Sequence, residues 1–290
     1  MTANPASQPA PGAHIELESL PNLRDIGGYP IAGGGRVRTG VLYRSAALSR
    51  LSPADADALQ RRDIRTIFDF RTEVERTAQP DVVPDGMHVV LADVLADAAS
   101  AAPDEMLEAI KDPLRASQLL AGDQTAAIFD ETYRQIVSSD SALRAYRSFF
   151  TDIADPANRP ALFHCTSGKD RTGWAAAALL LLLGVDEADV FHDYELTNQY
   201  LPRSAAAMIK KFTDGGGDPS TLTPVLGVDP KYLQTALTEM TSRFGSITGY
   251  FRDGLGMDDD AQDTLRAALS TRPHPPSPPG APAAAHRATR

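Results

Sequence analysis

PALFHCTSGKDRTGWAAAALLLLLG, residues 160 to 184, changes character twice in 25 residues. Residues 160 to 165 are a short apolar run that reads as a buried strand, bounded by Pro160 and by the polar TSGKD that follows. From Arg171 the pattern turns helical. Trp174 to Leu183 is the longest apolar run of the chain, too short to cross a bilayer and suited to a helix buried in a core. Gly184 then offers the flexible backbone of a helix C-cap. A strand, a loop and a helix in this order aim the loop's N–H groups and the positive end of the helix at one point, which favours an anion.

The chain around this unit has 290 residues and 42% hydrophobic content, enough for one large α/β domain or two small ones. Its net charge of -10 and pI near 5.0 exclude a general nucleic-acid surface, so any phosphate site must be local. The first residues, MTANPASQPAPGAH, lack a basic stretch followed by an apolar one, so no signal peptide and no integral membrane segment are expected. The expected location is the cytoplasm, or outside the cell by a route without a recognisable signal. Residues 1–13 and 271–290 are rich in Pro and Ala with little to bury, and are expected to be disordered tails around a folded region at 14–270. That region shows no internal repeat and no linker between separate cores.

Within it, residues 35–46 read as a hairpin-like pair of strands, and Ser52-Pro53 opens a helix running through Arg62. Residues 64–70 and 87–93 read as further strands, and 104–119, 124–137 and 140–154 as helices. Helical patterns return at 187–199, 201–213, 229–243 and 259–269, broken by DGGGDPSTLTP. Strands mixed with helices imply an α/β fold, with a parallel or mixed central sheet flanked by helices. Its ligand crevice would lie at the carboxyl ends of the strands.

Cys165, the only cysteine, closes the apolar strand, which leaves two readings: a buried filler or a reactive thiol. Lys169, Arg171 and the helix N-terminus would each stabilise its thiolate. Five residues separate Arg171 from Cys165, enough for the loop to curl so that the guanidinium faces the sulfur across a tetrahedral oxyanion. Thr166, Ser167, Gly168, Lys169 and Asp170 would then cradle that anion, with Gly168 permitting close approach of the backbone.

HCTSGKDRTG resembles the H-C-x5-R-[ST]-G signature loop of cysteine-dependent protein-tyrosine and dual-specificity phosphatases. Five such residues coincide by chance in roughly a few chains per hundred thousand of this length. LPNLRDIGGYP, GVLYRSAALSRL, DFRTEVE, VFHDYELTN and SITGYFRD resemble segments of the bacterial PtpB-type phosphatases, known from mycobacteria, and the likeness spans about 14 to 270. The resemblance implies a phosphatase acting on phosphotyrosine, with phosphoserine/threonine and phosphoinositides as further substrates, through a phosphocysteine on Cys165. It implies that Arg171 and the loop amides stabilise the equatorial oxygens, that Thr172 donates its hydroxyl to the sulfur, and that His164 orders the loop from behind. Arg24 and Asp25, with Asn22, lie in a Gly-flanked turn that reads equally as a plain turn or a pocket wall. Arg44 and Arg71 come near the pocket by resemblance alone, and so does the reading of 201–243 as a helical lid hinged at Gly215-Gly216-Gly217. Tyr194 and Asn198 share one helix face and read as core packing.

A general acid must protonate the leaving oxygen. Asp93 ends the apolar run 87–93 and so belongs at the carboxyl edge of the sheet, and it is similar in place to the acid of PtpB-type phosphatases. Asp170, inside the loop, ranks second, and Asp97 reads as a surface carboxylate. No metal and no cofactor are expected, the partner is a phosphorylated protein or phosphoinositide, and the oligomeric state stays open. Two other readings use the same loop: a sulfurtransferase, and a phosphate-binding module without catalysis, although such modules usually lose the Cys or the Arg and both are present here.

Overall fold

β5 (Ala161–His164) lies at the centre of a five-stranded sheet in the computed structural model, which describes residues 10–97, 123–218, 222 and 226–271. Of the expected elements, the helix at 104–119 and most of the tails at 1–13 and 271–290 lie outside the described residues; residues 10–13 and 271 are described, with Gly12 buried and the Thr271 amide bonded to the Arg36 carbonyl. The other strands are β1 (Arg24–Asp25), β2 (Leu42–Ser45), β3 (Thr66–Asp69) and β4 (His88–Leu91), in the order β1-β2-β5-β3-β4. β2, β5, β3 and β4 run parallel to one another and only β1 is antiparallel, which makes the sheet mixed. All four residues of β5 are buried, as expected of a strand with parallel neighbours on both edges and helices on both faces.

The two faces are separate cores. Ile67 and Leu162 point into a small cluster with Leu23, Leu48 and Leu59, closed by α1 (Pro53–Gln60). Phe68 and Phe163 point the other way, into the large cluster that holds Trp174. Alternate residues of a strand face opposite sides, so this division follows from the pleat. α5 (Asp170–Leu182) is buried over nearly its whole length, each of its buried leucines contributing about 2 kcal/mol of transfer free energy. α3 (Asp123–Ser138) and α4 (Asp140–Asp152) flank it. Gly184, at φ +85°, ends the segment as expected, with the Val185 amide reaching back to the Leu180 carbonyl.

The hairpin expected at 35–46 is a correction. Residues 36–38 pair instead with the preceding stretch, Gly28 donating to Val37 and Val37 to Tyr29. β2 has no free edge for them, because β1 and β5 occupy both sides of it. α2 (Glu73–Ala78) was not expected, yet it opens with a capping box in which Thr72 and Glu75 satisfy each other's amides. The remaining helices, α6 (Glu187–Glu195), α7 (Thr197–Asp214), α8 (Pro230–Phe244) and α9 (Asp259–Leu269), fall close to the four expected segments. The carboxyl ends of β2, β5, β3 and β4 therefore bring residues 45–47, 164–171, 69–71 and 92–93 to one edge of the sheet.

Candidate active site

The loop from Cys165 to Arg171 is held from outside by its carbonyls. Thr166 O accepts from the Ala47 amide at 3.1 Å, and Ser167 O from Asn22 Nδ2 at 3.4 Å. Gly168 O accepts from both Asn22 Nδ2, at 3.1 Å, and Arg44 Nη2, at 2.9 Å. In a trans peptide the C=O and the following N–H point in opposite directions. Turning these three carbonyls outward therefore turns the amides of Ser167, Gly168 and Lys169 inward, toward a common centre. Gly168 sits at φ +68°, and a Cβ there would lie 2.2 Å from the Ser45 carbonyl oxygen, so glycine is required.

Arg24 and Arg44 stand behind the loop rather than on a pocket wall. Both are fully buried, and Asp193 of α6 takes Arg44 Nη1 at 2.6 Å and lies 3.7 Å from Arg24 Nη2. Against the cost of burial, the two guanidinium groups hold Asp193 below its ordinary range. Burial, with Arg44 beside it, pulls Arg24 down to about 10. Arg24 also bonds Asn22 Oδ1, which orients the amide that grips the loop. Asp25 belongs to the turn: its two oxygens accept from Gly27 and Gly40.

Arg171 is oriented by Glu75, the first residue of functional weight that the sequence reading missed. Glu75 Oε2 takes Nη1 at 2.6 Å, Glu75 Oε1 takes Nη2 at 2.7 Å, and Nη1 also reaches the Phe70 carbonyl at 3.4 Å. A guanidinium has five N–H groups. Three are engaged among the described residues, which leaves Nε–H and the second N–H of Nη2, a parallel pair suited to two oxygens of a phosphate. Against burial, Arg171 and Thr166, whose hydroxyl also bonds Oε1, hold Glu75 down at about 2. Burial opposes the charge of Arg171, but Glu75, with Cys165 and Asp170 near it, keeps it well above the ordinary arginine value. Thr72-x-x-Glu75 is legible as a capping box, and that signal could have located the helix, though not its second task.

Cys165 is 2% exposed and sits where β5 ends. Thr172 Oγ1 is buried with no hydrogen-bond partner among the described residues. His164 lies behind, with Nδ1 3.1 Å from the Cys165 carbonyl and Nε2 3.2 Å from Asp81. Asp69, Asp81 and His164 are close enough to hold an ion, but Arg71 already pairs with Asp69 at 2.8 Å and Asp81 at 2.6 Å and fills that space. Arg71 is thus part of the foundation beneath the loop.

The acidic candidates separate. Asp93 follows β4, ties Oδ1 to the Leu95 amide at 3.0 Å, and feels both Arg76 and Arg171. Burial outweighs these and raises its pKa above the ordinary aspartate value. Asp170 Oδ1 accepts from Tyr133 at 2.6 Å, and Oδ2 lies 3.7 Å from Lys169 Nζ. Tyr133 is itself 2.5 Å from the Tyr194 hydroxyl, and burial with Asp170 beside it keeps Tyr133 protonated, hence a donor. Tyr194 was expected only to pack, and it also joins this chain. Asp97 is exposed on the surface with Arg144 at 3.0 Å. Lys169 turns toward the segment after α7: Nζ donates to the Gly227 carbonyl at 2.9 Å and lies 5.1 Å from the Phe129 ring centre. Asn198 ties the same segment down by two bonds to Val228, at 2.9 and 2.8 Å.

A mixed sheet with a Cys-to-Arg loop at the end of its central strand, amides turned inward and an oriented guanidinium, defines a phosphate-handling α/β protein. A model of the tyrosine phosphatase family matches residues 15–271, and the chain belongs to that family. It is 34% identical over 281 residues to the triple specificity protein phosphatase PtpB of Mycobacterium tuberculosis, covering 88% of this chain and 98% of the relative. A Cupriavidus necator protein, named as a candidate tyrosine-protein phosphatase, is 33% identical over 257 residues, covering 88% and 89% of the two chains. A tyrosine-protein phosphatase of Nostoc commune is 26% identical over 236 residues, covering 78% and 73%. No helix of the described residues is long and apolar enough to cross a membrane.

Proposed function

We propose that the loop hydrolyses phosphate monoesters in two steps through Cys165. The thiolate attacks phosphorus in line, the S–P bond forms as the bond to the leaving oxygen breaks, and Asp93 passes its proton to that oxygen. Water then attacks the phosphocysteine, the P–S bond breaks, and Asp93 recovers a proton from the water. Charge grows on the equatorial oxygens, where the inward amides and the free fork of Arg171 wait. Thr172, whose hydroxyl is buried and has no hydrogen-bond partner among the described residues, donates to the sulfur as it departs. His164 orders the loop from behind, and Asp170 is the auxiliary carboxylate.

The observation that carries this reading is the fork of Arg171: Glu75 engages one edge of the guanidinium and leaves the edge that fits a phosphate. Phosphotyrosine is the first substrate, and phosphoserine/threonine and phosphoinositides are the further ones; the name of the mycobacterial relative, a triple specificity protein phosphatase, supports a range wider than phosphotyrosine alone. Residues 201–243 serve as a lid, supported by the contacts of Lys169 and Asn198 with residues 227–228. Initial rates of the purified protein on phosphotyrosine, phosphoserine and phosphoinositide substrates test the reading. Activity should vanish in Cys165→Ser and fall severely in Arg171→Lys, which keeps the charge but loses the fork. Unchanged activity in Cys165→Ser, or thiosulfate turnover in place of phosphate release, would overturn it.

A further inference from the structure

Beside the phosphate loop lies a cleft of about 680 Å³, in the range of sites that hold a drug-sized ligand. The loop lines it through Thr166 and Ser167, and Leu201 and Leu226 line it too. The stretch after β2 supplies Ser49, Arg50 and Ser52, and Glu18, Ser19 and Gln79 complete the polar lining. A substrate seated with its phosphate in the loop would reach this cleft by extending past Thr166 and Ser167.

Arg50 is unlike the arginines behind the loop. Arg24, Arg44, Arg71 and Arg171 are all buried and each is paired with a carboxylate. Arg50 is exposed and has no hydrogen bond or ion pair among the described residues, and the side chains of Glu18, Ser49, Gln79 and Ser167 are likewise unengaged. The cleft thus offers one free cation, one free anion and several neutral groups that both donate and accept. That mixture suits an extended peptide, whose backbone presents alternating donors and acceptors and whose side chains carry either sign.

Resting on the phosphatase reading above, we propose that this cleft is a peptide subsite in which Arg50 pairs with an acidic side chain flanking the phosphorylated residue. The contact selects among phosphoproteins and takes no part in the chemistry. As a solvent-exposed pair it is worth roughly a threefold to fivefold preference, and it fades as salt screens it.

The test uses the full chain and a set of phosphotyrosine peptides identical except for Glu, Gln or Lys placed in turn at each flanking position, with nitrophenyl phosphate as a substrate too small to reach the cleft. Wild type should favour a Glu peptide over its Gln and Lys partners in kcat/KM at one flanking position. Arg50→Glu should reverse that order at the same position, and nitrophenyl phosphate turnover should not change. Equal rates for the three peptides at every position in the wild type overturn the subsite. So does an equal fall on peptide and nitrophenyl phosphate in Arg50→Glu, which would mean that Arg50 supports the loop. A loss on phosphoinositide vesicles with the peptides unaffected would assign the cleft to lipid and also sink it. Affinities of the same peptides for Cys165→Ser report the preference without turnover, so the subsite is decided even if wild type releases no phosphate and the phosphatase reading fails.

Discussion

Glu75→Gln separates the fold's need for Glu75 from the chemistry's. The substitution keeps the size of the side chain and one acceptor, but replaces the second oxygen by a donor facing the guanidinium and removes the charge opposite Arg171. A carboxyl held at about 2 in place of its ordinary 4.5 corresponds to about 3 kcal/mol favouring the ionised form, at 1.36 kcal/mol per pKa unit. Breaking a buried pair by removing one partner typically costs about 3–5 kcal/mol, so the two estimates agree. Because the folded pKa is depressed, this stability is present above the ordinary value of 4.5 and is lost as pH falls through about 2. Urea unfolding near neutral pH should therefore show Glu75→Gln destabilised by about 3 kcal/mol, with the difference from wild type shrinking as pH approaches 2. Arg171 would lose the contact that turns its free edge toward the ligand, and misplacement of such a group costs on the order of a hundredfold in rate. The expected kcat/KM on nitrophenyl phosphate is thus about a hundredfold lower under conditions where the variant is fully folded. A folded variant with kcat/KM within about twofold of wild type would refute the reasoning that Glu75 sets the fork.

Asp93→Asn should slow a phenyl phosphate with a poor leaving group by about 10²- to 10⁴-fold while sparing an activated nitrophenyl ester, and should flatten the high-pH limb of kcat that its raised pKa places above the ordinary aspartate range. Equal slowing of both esters, or loss of that limb in Asp170→Asn alone, would move the proton to the loop. Lys169→Ala should reduce phosphoinositide turnover more than phosphotyrosine turnover, because a cation at the rim of the loop can take a second phosphate on an inositol ring once it leaves the Gly227 carbonyl; equal losses in the two assays would remove the case for lipid activity.

The strand-loop-helix unit was legible because its cues are local. Six apolar residues ending in Cys165, a polar loop containing Gly168 and an Ala/Leu run ending at Gly184 need no tertiary knowledge to read. What the sequence hid depends on separation along the chain. Glu75 lies 96 residues from Arg171, and Asp193 lies 149 residues from Arg44, so no periodicity or spacing connects them. The hairpin expected at 35–46 failed for the same reason: alternation predicts a strand, but the partner of β2 was decided by β5 arriving more than a hundred residues later. Arg24 read equally as part of a turn or of a pocket wall, and Arg44 came near the pocket by resemblance alone. Both are buried against Asp193, and they serve the loop from behind: Arg44 donates to the Gly168 carbonyl, and Arg24 donates to Asn22, whose amide grips the same carbonyl.

That arrangement explains how a chain of net charge -10 can prepare a site for a dianion. Most of the positive charge near the loop is neutralised: Arg24 and Arg44 by Asp193, and Arg71 by Asp69 and Asp81. These pairs contribute little net field at the ligand, and their work is mechanical, since Arg44 and Asn22 fix the carbonyls and thereby the direction of the amides. On the reading proposed above, the attraction for phosphate then comes from oriented N–H dipoles, the start of α5 and one guanidinium, all aimed before the substrate arrives. Dipoles held this way need no reorganisation as charge shifts onto the equatorial oxygens, whereas bare lysines at the same place would bind ground state and transition state alike. A loop so built discriminates poorly among phosphate esters, because it touches only the phosphate. Selection must therefore fall to surfaces beyond the loop, and the cleft lined by Arg50 and Glu18 adjoins it directly.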